Sequence, residues 1–283
     1  MIRLGLVGWP ISHSLSPELH KAAFKAINLE GEYSLYPVET LQLEKLAELI
    51  DLVRNGYLTG LNVTLPYKQT VLNMVDELTP NARKIGAVNT IYVNAGRVIG
   101  HNTDVTGFLV DLRKKANLDF DYPGKAIVLG AGGSARAVVS ALIDISWQIT
   151  VASRNLQHAQ ALADFFNDEP GVVKVQATNL EANSLQPLLN HTKLIVNTTP
   201  VGMYPKIGFS PWPDGLPMVK SAFIYDLIYN PPITMFVKQA TDDGLHGTNG
   251  MGMLVEQAAL SFEIWTGKSA HREAMSSVVS SLL

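Results

Sequence analysis

Ile127-Val128-Leu129-Gly130-Ala131-Gly132-Gly133-Ser134-Ala135 decides the fold of this chain. Three apolar residues in a row read as a buried strand, and the glycines after them as a tight turn. From Ser134 to Ile143 apolar residues recur at helical spacing, so strand, turn and helix follow in order. The stretch fits G-x-G-x-x-A, a variant of the dinucleotide fingerprint. Gly130 permits the turn, Gly132 lets the backbone approach a pyrophosphate, and small Ala135 lets helix and strand pack closely. Around Ala131, Gly133 and Ser134 the start of the helix offers unpaired N–H groups and a positive dipole end to phosphates.

Downstream the same alternation continues. Gln148–Ala152 reads as a strand, Leu156–Phe166 as a helix, and Leu194–Asn197 and Ala222–Asp226 as further buried strands. Ser153-Arg154-Asn155 follows the second strand, where an NAD site usually carries Asp or Glu for the ribose 2′-hydroxyl. This chain has Arg154 there and no carboxylate before Asp164. A guanidinium pairs with a 2′-phosphate through two parallel hydrogen bonds, so NADP is the coenzyme these residues favour, with NAD left open.

Upstream, Ile2–Val7 and Tyr33–Val38 are strand-like. Ser16-Pro17-Glu18 opens a helix, with Ser16 as cap and Leu19, Ala22, Ala23 and Ile27 on its apolar face. Leu43–Val53 places Leu46, Leu49, Ile50 and Val53 on one face. Gly60–Leu65 reads as a half-buried strand, with Val63 and Leu65 alternating with polar neighbours until Pro66 stops the pairing. Phe108–Lys115 is a connecting helix, and two further helices run from Gly252 to Thr266 and onward from His271. The fold class is α/β in two domains, the first with a mostly parallel sheet and the second Rossmann-like. Boundaries fall at 1–107 with 238–283 for the first domain and 108–237 for the second.

Hydrophobic residues make up 47% of the 283 and charged residues 17%, enough for a substantial core. A net charge of −3 without a basic block gives no footprint for nucleic acid. The absence of cysteine excludes disulfides and thiolate metal sites, and no metal is expected. No apolar stretch approaches the roughly 18 to 20 residues that cross a bilayer, and nothing resembles a targeting signal. The expectation is a cytoplasmic protein, monomer or homodimer, with a small-molecule substrate.

Four polar clusters in the first domain have no helical or strand rationale: His13–Pro17, Asn62–Lys68, Gly86–Thr90 and Gly100–Gly107. They are rich in hydroxyls, amides and carboxylates, which suits a small polyhydroxylated ligand better than a flat apolar ring. Lys68 follows the end of a strand, where rigid scaffolds display catalytic groups. His13 and His101 read as structural, because no partner pattern points to them.

In order along the chain stand G-x-P-x-x-H-S-x-S-P-x-x-H from Gly8 to His20, N-V-T-x-P-x-K, G-A-x-N-T, N-T-D-x-x-G and the glycine turn. Asn197–Met203, Asp226–Pro231 and M-L-x-x-Q-A from Met253 to Ala258 complete the series. By these motifs the chain resembles the shikimate dehydrogenase family over nearly its whole length. The resemblance implies NADP(H)-dependent interconversion of 3-dehydroshikimate and shikimate. It implies that Ser14 and Ser16 bind the substrate carboxylate, that Asn62, Thr64, Asn89, Tyr229 and Gln257 help bind substrate, and that Lys68 and Asp104 form the catalytic pair. It adds Thr198, Leu227, Gly250 and Met253 to the coenzyme set of Gly130–Ser134 and Ser153–Asn155. It also returns the C-terminal helix to the first domain through Gln257, with the site in the interdomain cleft.

The chain departs from the family at two points. Members that use NADP often read Asn-Arg-Thr where this chain has Ser153-Arg154-Asn155, and His158 stands where a basic residue often follows. Quinate users often carry threonine as the second hydroxyl of Ser-x-Ser, so Ser16 favours shikimate. A quinate/shikimate dehydrogenase and a non-catalytic nucleotide or metabolite sensor are the alternatives; intact Lys68 and Asp104 weigh against the sensor.

Overall fold

The computed structural model describes residues 1–168 and 174–283. They divide into two units, Met1–Gly107 with Val255–Leu282, and Phe108–Leu254 with Leu283.

In chain order the first unit holds β1 (Ile2–Gly8), α1 (Ser16–Ala26), β2 (Gly31–Pro37), α2 (Leu43–Arg54), β3 (Gly60–Val63), β4 (Glu77–Leu78), α3 (Pro80–Ile85), β5 (Thr90–Asn94) and β6 (Arg97–His101). Next comes α4 (Asp104–Lys115), within which the chain passes to the second unit. The six strands lie in the order β2-β1-β3-β5-β6-β4. β2, β1 and β3 run parallel, as do β4 and β6, whereas β5 is antiparallel to both its neighbours.

The antiparallel pair is a hairpin that the sequence reading left out. Its two-residue turn is Ala95-Gly96, both at positive φ (48° and 76°), the geometry whose twist suits tight hairpins. β3 differs from the half-buried strand expected: Gly60, Leu61, Asn62 and Val63 are all buried, and pairing ends at Val63 with Leu65 exposed beyond it. Val63 lies in a cluster with Leu46, Leu49, Ile50 and Val53 of α2. Gly60 faces the Trp265 indole so closely that a Cβ would overlap it. An inner strand covered on both faces loses the alternation that a half-buried strand shows.

α2 buries Leu46, Leu49, Ile50 and Val53, the face its spacing predicts. α1 corrects the expectation for Ser16, which is the first helical residue, after Leu15 in the cap position. Its N–H donates to Ser14 Oγ at 3.3 Å. The face α1 buries is Leu19, His20, Ala23 and Phe24, so His20 takes a core position that residue type alone argues against.

The second unit holds β7 (Lys125–Leu129), α5 (Gly133–Asp144), β8 (Gln148–Ser153), α6 (Leu156–Asn167), β9 (Val175–Asn179), α7 (Ala182–Leu185), β10 (Leu194–Asn197), β11 (Phe223–Asp226), α8 (Met235–Asp242) and β12 (Gly247–Thr248). All pairings are parallel, in the order β12-β11-β10-β7-β8-β9. This is the doubly wound nucleotide-binding order, with its switch point between β7 and β10. β12 pairs with β11 through Ile224–Gly247 and Tyr225–Thr248, which keeps the chain in this sheet past α8. The unit therefore extends to Leu254, not 237 as the sequence reading drew it; a two-residue strand carries no periodicity to read.

α9 (Met251–Thr266) begins in the second unit and continues, from Val255, in the first. Gly252 in its first turn is where the Asp111 carboxylate lies, and a Cβ there would collide with it. α10 (Arg272–Leu282) lies along α1. Among the described residues no helix is long and apolar enough to cross a membrane.

Candidate active site

Past β3 the chain turns back on itself and sets Lys68 beside Asp104. The turn is anchored by Tyr67, which is buried and lies within hydrogen-bond reach of the carbonyls of Val38 (2.9 Å) and Glu39 (2.7 Å). The Val88 N–H donates to the Lys68 carbonyl at 2.7 Å, fixing the backbone of the lysine itself. Its Nζ donates to Asp104 Oδ2 at 2.7 Å, with the two side chains 14% and 5% exposed. Asp104 opens α4, where a carboxylate suits the helix dipole, and its N–H donates to Asn102 Oδ1 at 2.9 Å.

Asn89 holds the other carboxylate oxygen. Its Oδ1 accepts from the Thr103 N–H at 2.8 Å, a backbone donor that leaves no choice of amide orientation. Nδ2 therefore faces Asp104 Oδ1 at 2.9 Å, with Gln257 Oε1 at 3.5 Å. Asn62 Nδ2 donates to the Asn89 carbonyl at 3.0 Å, and Asn62 Oδ1 accepts from Tyr33 at 2.8 Å. Asn62, Lys68, Asn89, Asp104 and Gln257 thus form one hydrogen-bonded group, built from the ends of β3, β5 and β6 and from α9.

Ser14 and Ser16 form a separate pair, hydroxyl to hydroxyl at 3.1 Å. Thr64 is half-buried just past β3, its N–H donating to the Val7 carbonyl at 2.9 Å and its methyl set against Gly8, where a Cβ would clash. Tyr229 belongs to the second unit, beyond β11. His101 Nδ1 is 2.9 Å from Thr79 Oγ1, and burial pushes its pKa down. Tyr33, Thr90, Asn102, Thr103 and Ser261 surround the group; sequence reasoning missed Tyr33 and Ser261, and named the clusters that hold Thr90, Asn102 and Thr103 without giving these three a role. Thr90 and Thr103 adjoin Asn89 and Asp104 in the motifs, and Ser261 stands one helical turn after Gln257, so their places were available as a signal.

In the second unit Gly130 has φ +104°, and a Cβ there would lie 2.7 Å from Thr198 Oγ1, so the turn and the close approach of β10 both require glycine. Thr198 itself donates to the Leu129 carbonyl at 2.7 Å. Gly132 is the N-cap of α5 with no side-chain cap, and the space a Cβ would occupy has nothing within 4 Å. Ala135 is fully buried beneath, as close packing of helix and strand demands. Uncapped N–H groups facing open space fit a pyrophosphate.

At the end of β8, Arg154 is exposed. Ser153 Oγ accepts from the Asn155 N–H at 3.3 Å, and Asn155 Oδ1 caps α6 through Gln157 N–H at 3.0 Å. With that oxygen committed, the groups left to meet an anion are the Arg154 guanidinium, the Ser153 hydroxyl and the Asn155 amide nitrogen. Leu227 N–H donates to the Asn197 carbonyl at 2.9 Å; Gly250 N–H donates to Ile228 at 3.0 Å, where a Cβ would run into Leu227. Met253 is buried in the first turn of α9.

Residues 6–91 match the model of the shikimate dehydrogenase substrate-binding domain, and residues 250–279 that of the shikimate 5′-dehydrogenase C-terminal domain. Residues 126–202 match the saccharopine dehydrogenase NADP-binding domain. A shikimate dehydrogenase (NADP(+)) of Methanopyrus kandleri is 40% identical over 98% of this chain and 94% of its own length. The shikimate 5-dehydrogenase of Thermus thermophilus, solved in complex with NADP(H) and shikimate, superimposes with a TM-score of 0.85 at 35% identity over 100% of both chains. A quinate dehydrogenase of Corynebacterium glutamicum, solved with NAD, gives 0.87 at 30% identity over 99% of both. The doubly wound sheet, the uncapped glycine turn and the Lys68–Asp104 group therefore stand in a chain that belongs to the shikimate dehydrogenase family.

Proposed function

We propose that this protein catalyses the reversible NADP(H)-dependent reduction of 3-dehydroshikimate to shikimate, with Lys68 and Asp104 at the reacting oxygen. The observation that carries the reading is the 2.7 Å contact of Lys68 Nζ with a carboxylate whose second oxygen is held by Asn89. Oxidising a secondary alcohol moves hydride from carbon and a proton from oxygen. Bound coenzyme supplies the hydride acceptor, held by the Gly130–Ser134 turn, Ser153, Arg154 and Asn155, with Thr198, Leu227, Gly250 and Met253 along its course. Lys68 exchanges the proton with the substrate oxygen. Asp104 holds Lys68 and orients it against the substrate hydroxyl. The hydroxyls of Ser14 and Ser16 donate to the substrate carboxylate, and Asn62, Thr64, Asn89, Tyr229 and Gln257 are assigned to the substrate's remaining polar groups. The natural setting of this reading is the cytoplasm, with the chain as a monomer or homodimer.

Steady-state rates with shikimate and quinate, each with NADP and NAD, test the assignment. The shikimate–NADP pair is expected to give the highest kcat/KM. A preference for quinate with NAD, the pair suggested by the Corynebacterium glutamicum relative, would overturn it.

Coenzyme choice rests on Arg154. Replacing it with alanine removes a charge-assisted, two-pronged donor to the 2′-phosphate. The Kd of NADP is expected to rise about 10- to 100-fold and that of NAD to stay within about 3-fold. Equal losses for the two coenzymes would sink the 2′-phosphate assignment.

A further inference from the structure

The site group continues inward through hydroxyls that none of the catalytic or binding roles above uses. Ser261 Oγ is fully buried and lies 3.1 Å from Asn62 Nδ2 and 2.8 Å from Thr90 Oγ1. Thr90 Oγ1, also fully buried, lies 2.8 Å from Asn89 Oδ1. The direction of the links that end on an amide follows from what that amide can do. Asn89 Oδ1 can only accept, so Thr90 spends its one proton there. The single Ser261 proton has two acceptors within reach, Thr90 Oγ1 at 2.8 Å and the Gln257 carbonyl at 3.0 Å, so Ser261 ties Thr90 to α9. Asn62 Nδ2 can only donate, and Ser261 receives from it. Beyond Asn62 the Tyr33 hydroxyl donates to Oδ1, since an amide oxygen has no proton to give.

The result is a connected series from Tyr33 through Asn62, Ser261, Thr90 and Asn89 to Asp104, with Ser261 also held by the Gln257 carbonyl. Lys68 donates to Asp104 from the other side. From Asn62 to Asp104 every member is buried, at 5% exposure or less. In such surroundings each link polarises the next, and a side chain in the series keeps one rotamer.

The geometry points to Thr90 and Ser261 as positioning residues for the proposed reaction, the inner links that aim the Asn89 amide at Asp104 and so set Asp104 against Lys68. This role rests on the assignment of Lys68 and Asp104 to the reacting oxygen. Deleting the Thr90 hydroxyl removes the 2.8 Å contact on Asn89 Oδ1 and leaves that oxygen to Thr103, and deleting the Ser261 hydroxyl removes the short contact that holds Thr90, leaving it only Asn62 Nδ2 at 3.3 Å. The carboxylate then moves within its site while the groups assigned to the substrate carboxylate stay where they are.

The test measures kcat, KM for shikimate and the thermal midpoint of Thr90→Val, Thr90→Ser, Ser261→Ala and Lys68→Ala in the full chain. Thr90→Val and Ser261→Ala are expected to lose about 10-fold or more in kcat with KM within about 3-fold, because small misplacement of a reacting group acts on turnover. Thr90→Ser, which restores the hydroxyl, is expected to return kcat to within about 2-fold of the parent. A fall in thermal midpoint with kcat unchanged in both variants would overturn the proposal, and so would failure of Thr90→Ser to recover turnover. If Thr90→Val does not fold, Ser261→Ala decides, since alanine suits a helix interior. Undiminished turnover in Lys68→Ala would instead remove the catalytic assignment, whatever the two hydroxyl variants do.

Discussion

Replacing Lys68 with alanine is expected to lower kcat by about 10²–10⁴-fold while KM for shikimate changes little, the range that general acid–base groups contribute. The expectation follows from where the ammonium lies. Its 14% exposure and its 2.7 Å contact with Asp104 leave it little freedom, and the Lys68 backbone is tied to Val88. On the proposed assignment, a side chain so fixed would contribute orientation as well as a proton. The substrate carboxylate is assigned elsewhere, to Ser14 and Ser16, so ground-state affinity has its own anchor. Lys68→Met separates charge from packing, because its unbranched stem fills much of the same space. It is expected to lose turnover as alanine does and to keep more of the thermal stability. Stopped-flow reduction of NADP with saturating shikimate checks the chemical step directly. A large rise in KM with normal turnover would show that Lys68 only binds, and the proton would then have to pass through Asp104.

The nucleotide unit was legible because its signals are local. Gly130, Gly132 and Ala135 each answer to one steric demand of a strand–turn–helix, and the structure meets each demand at the expected residue. The inner face of α2 was legible for the same reason. What escaped depended on distant neighbours. β3 is buried on both faces because α2 covers one and Trp265, far away in the sequence, covers the other. The β5–β6 hairpin turns on Ala95-Gly96, where alanine hides the positive φ that Asn-Gly would advertise. His20 and Ser261 are polar residues on helix faces that a hydrophobic pattern counts as outward. Each is buried because its helix meets the same sheet, the histidine against rings and the serine inside a hydrogen-bonded series. The motifs contain Thr90, Asn102 and Thr103 beside Asn89 and Asp104, but Tyr33 and Ser261 lie outside them and join the group only through the fold.

That buried histidine and one buried carboxylate make stability depend on pH in opposite senses. The His20 ring is stacked on Tyr33 at 4.2 Å and flanked by Phe262 and Trp265, and neither ring nitrogen has a hydrogen-bond partner among the described residues. Burial alone pulls its pKa from 6.5 to about 3. The unfolded chain therefore takes up a proton below pH 6.5 that the folded chain refuses, and stability falls as the solution is acidified. Asp226 acts the other way. Burial lifts its pKa from 3.8 to about 6, against the hydrogen bonds from Thr234, Ile228 and Asn197 that favour the anion. Its contribution is full below pH 3.8 and is lost as pH rises through about 6. Between about pH 6 and 4 the two slopes oppose each other, so the parent protein shows less acid sensitivity than either group alone would give. His20→Phe keeps the stacked ring and removes the titration. Its stability relative to the parent is expected to improve by about 2 kcal/mol on going from about pH 7.5 to about pH 5. Asp226→Asn is expected to move in the opposite direction by about 1 kcal/mol over the same interval. Urea denaturation of the three proteins at matched pH values checks both, and His20→Leu replaces the phenylalanine variant if the larger ring does not fit. A His20→Phe difference that stays constant across that interval would mean that the imidazole is not kept neutral by its burial, and the opposition of slopes would vanish with it.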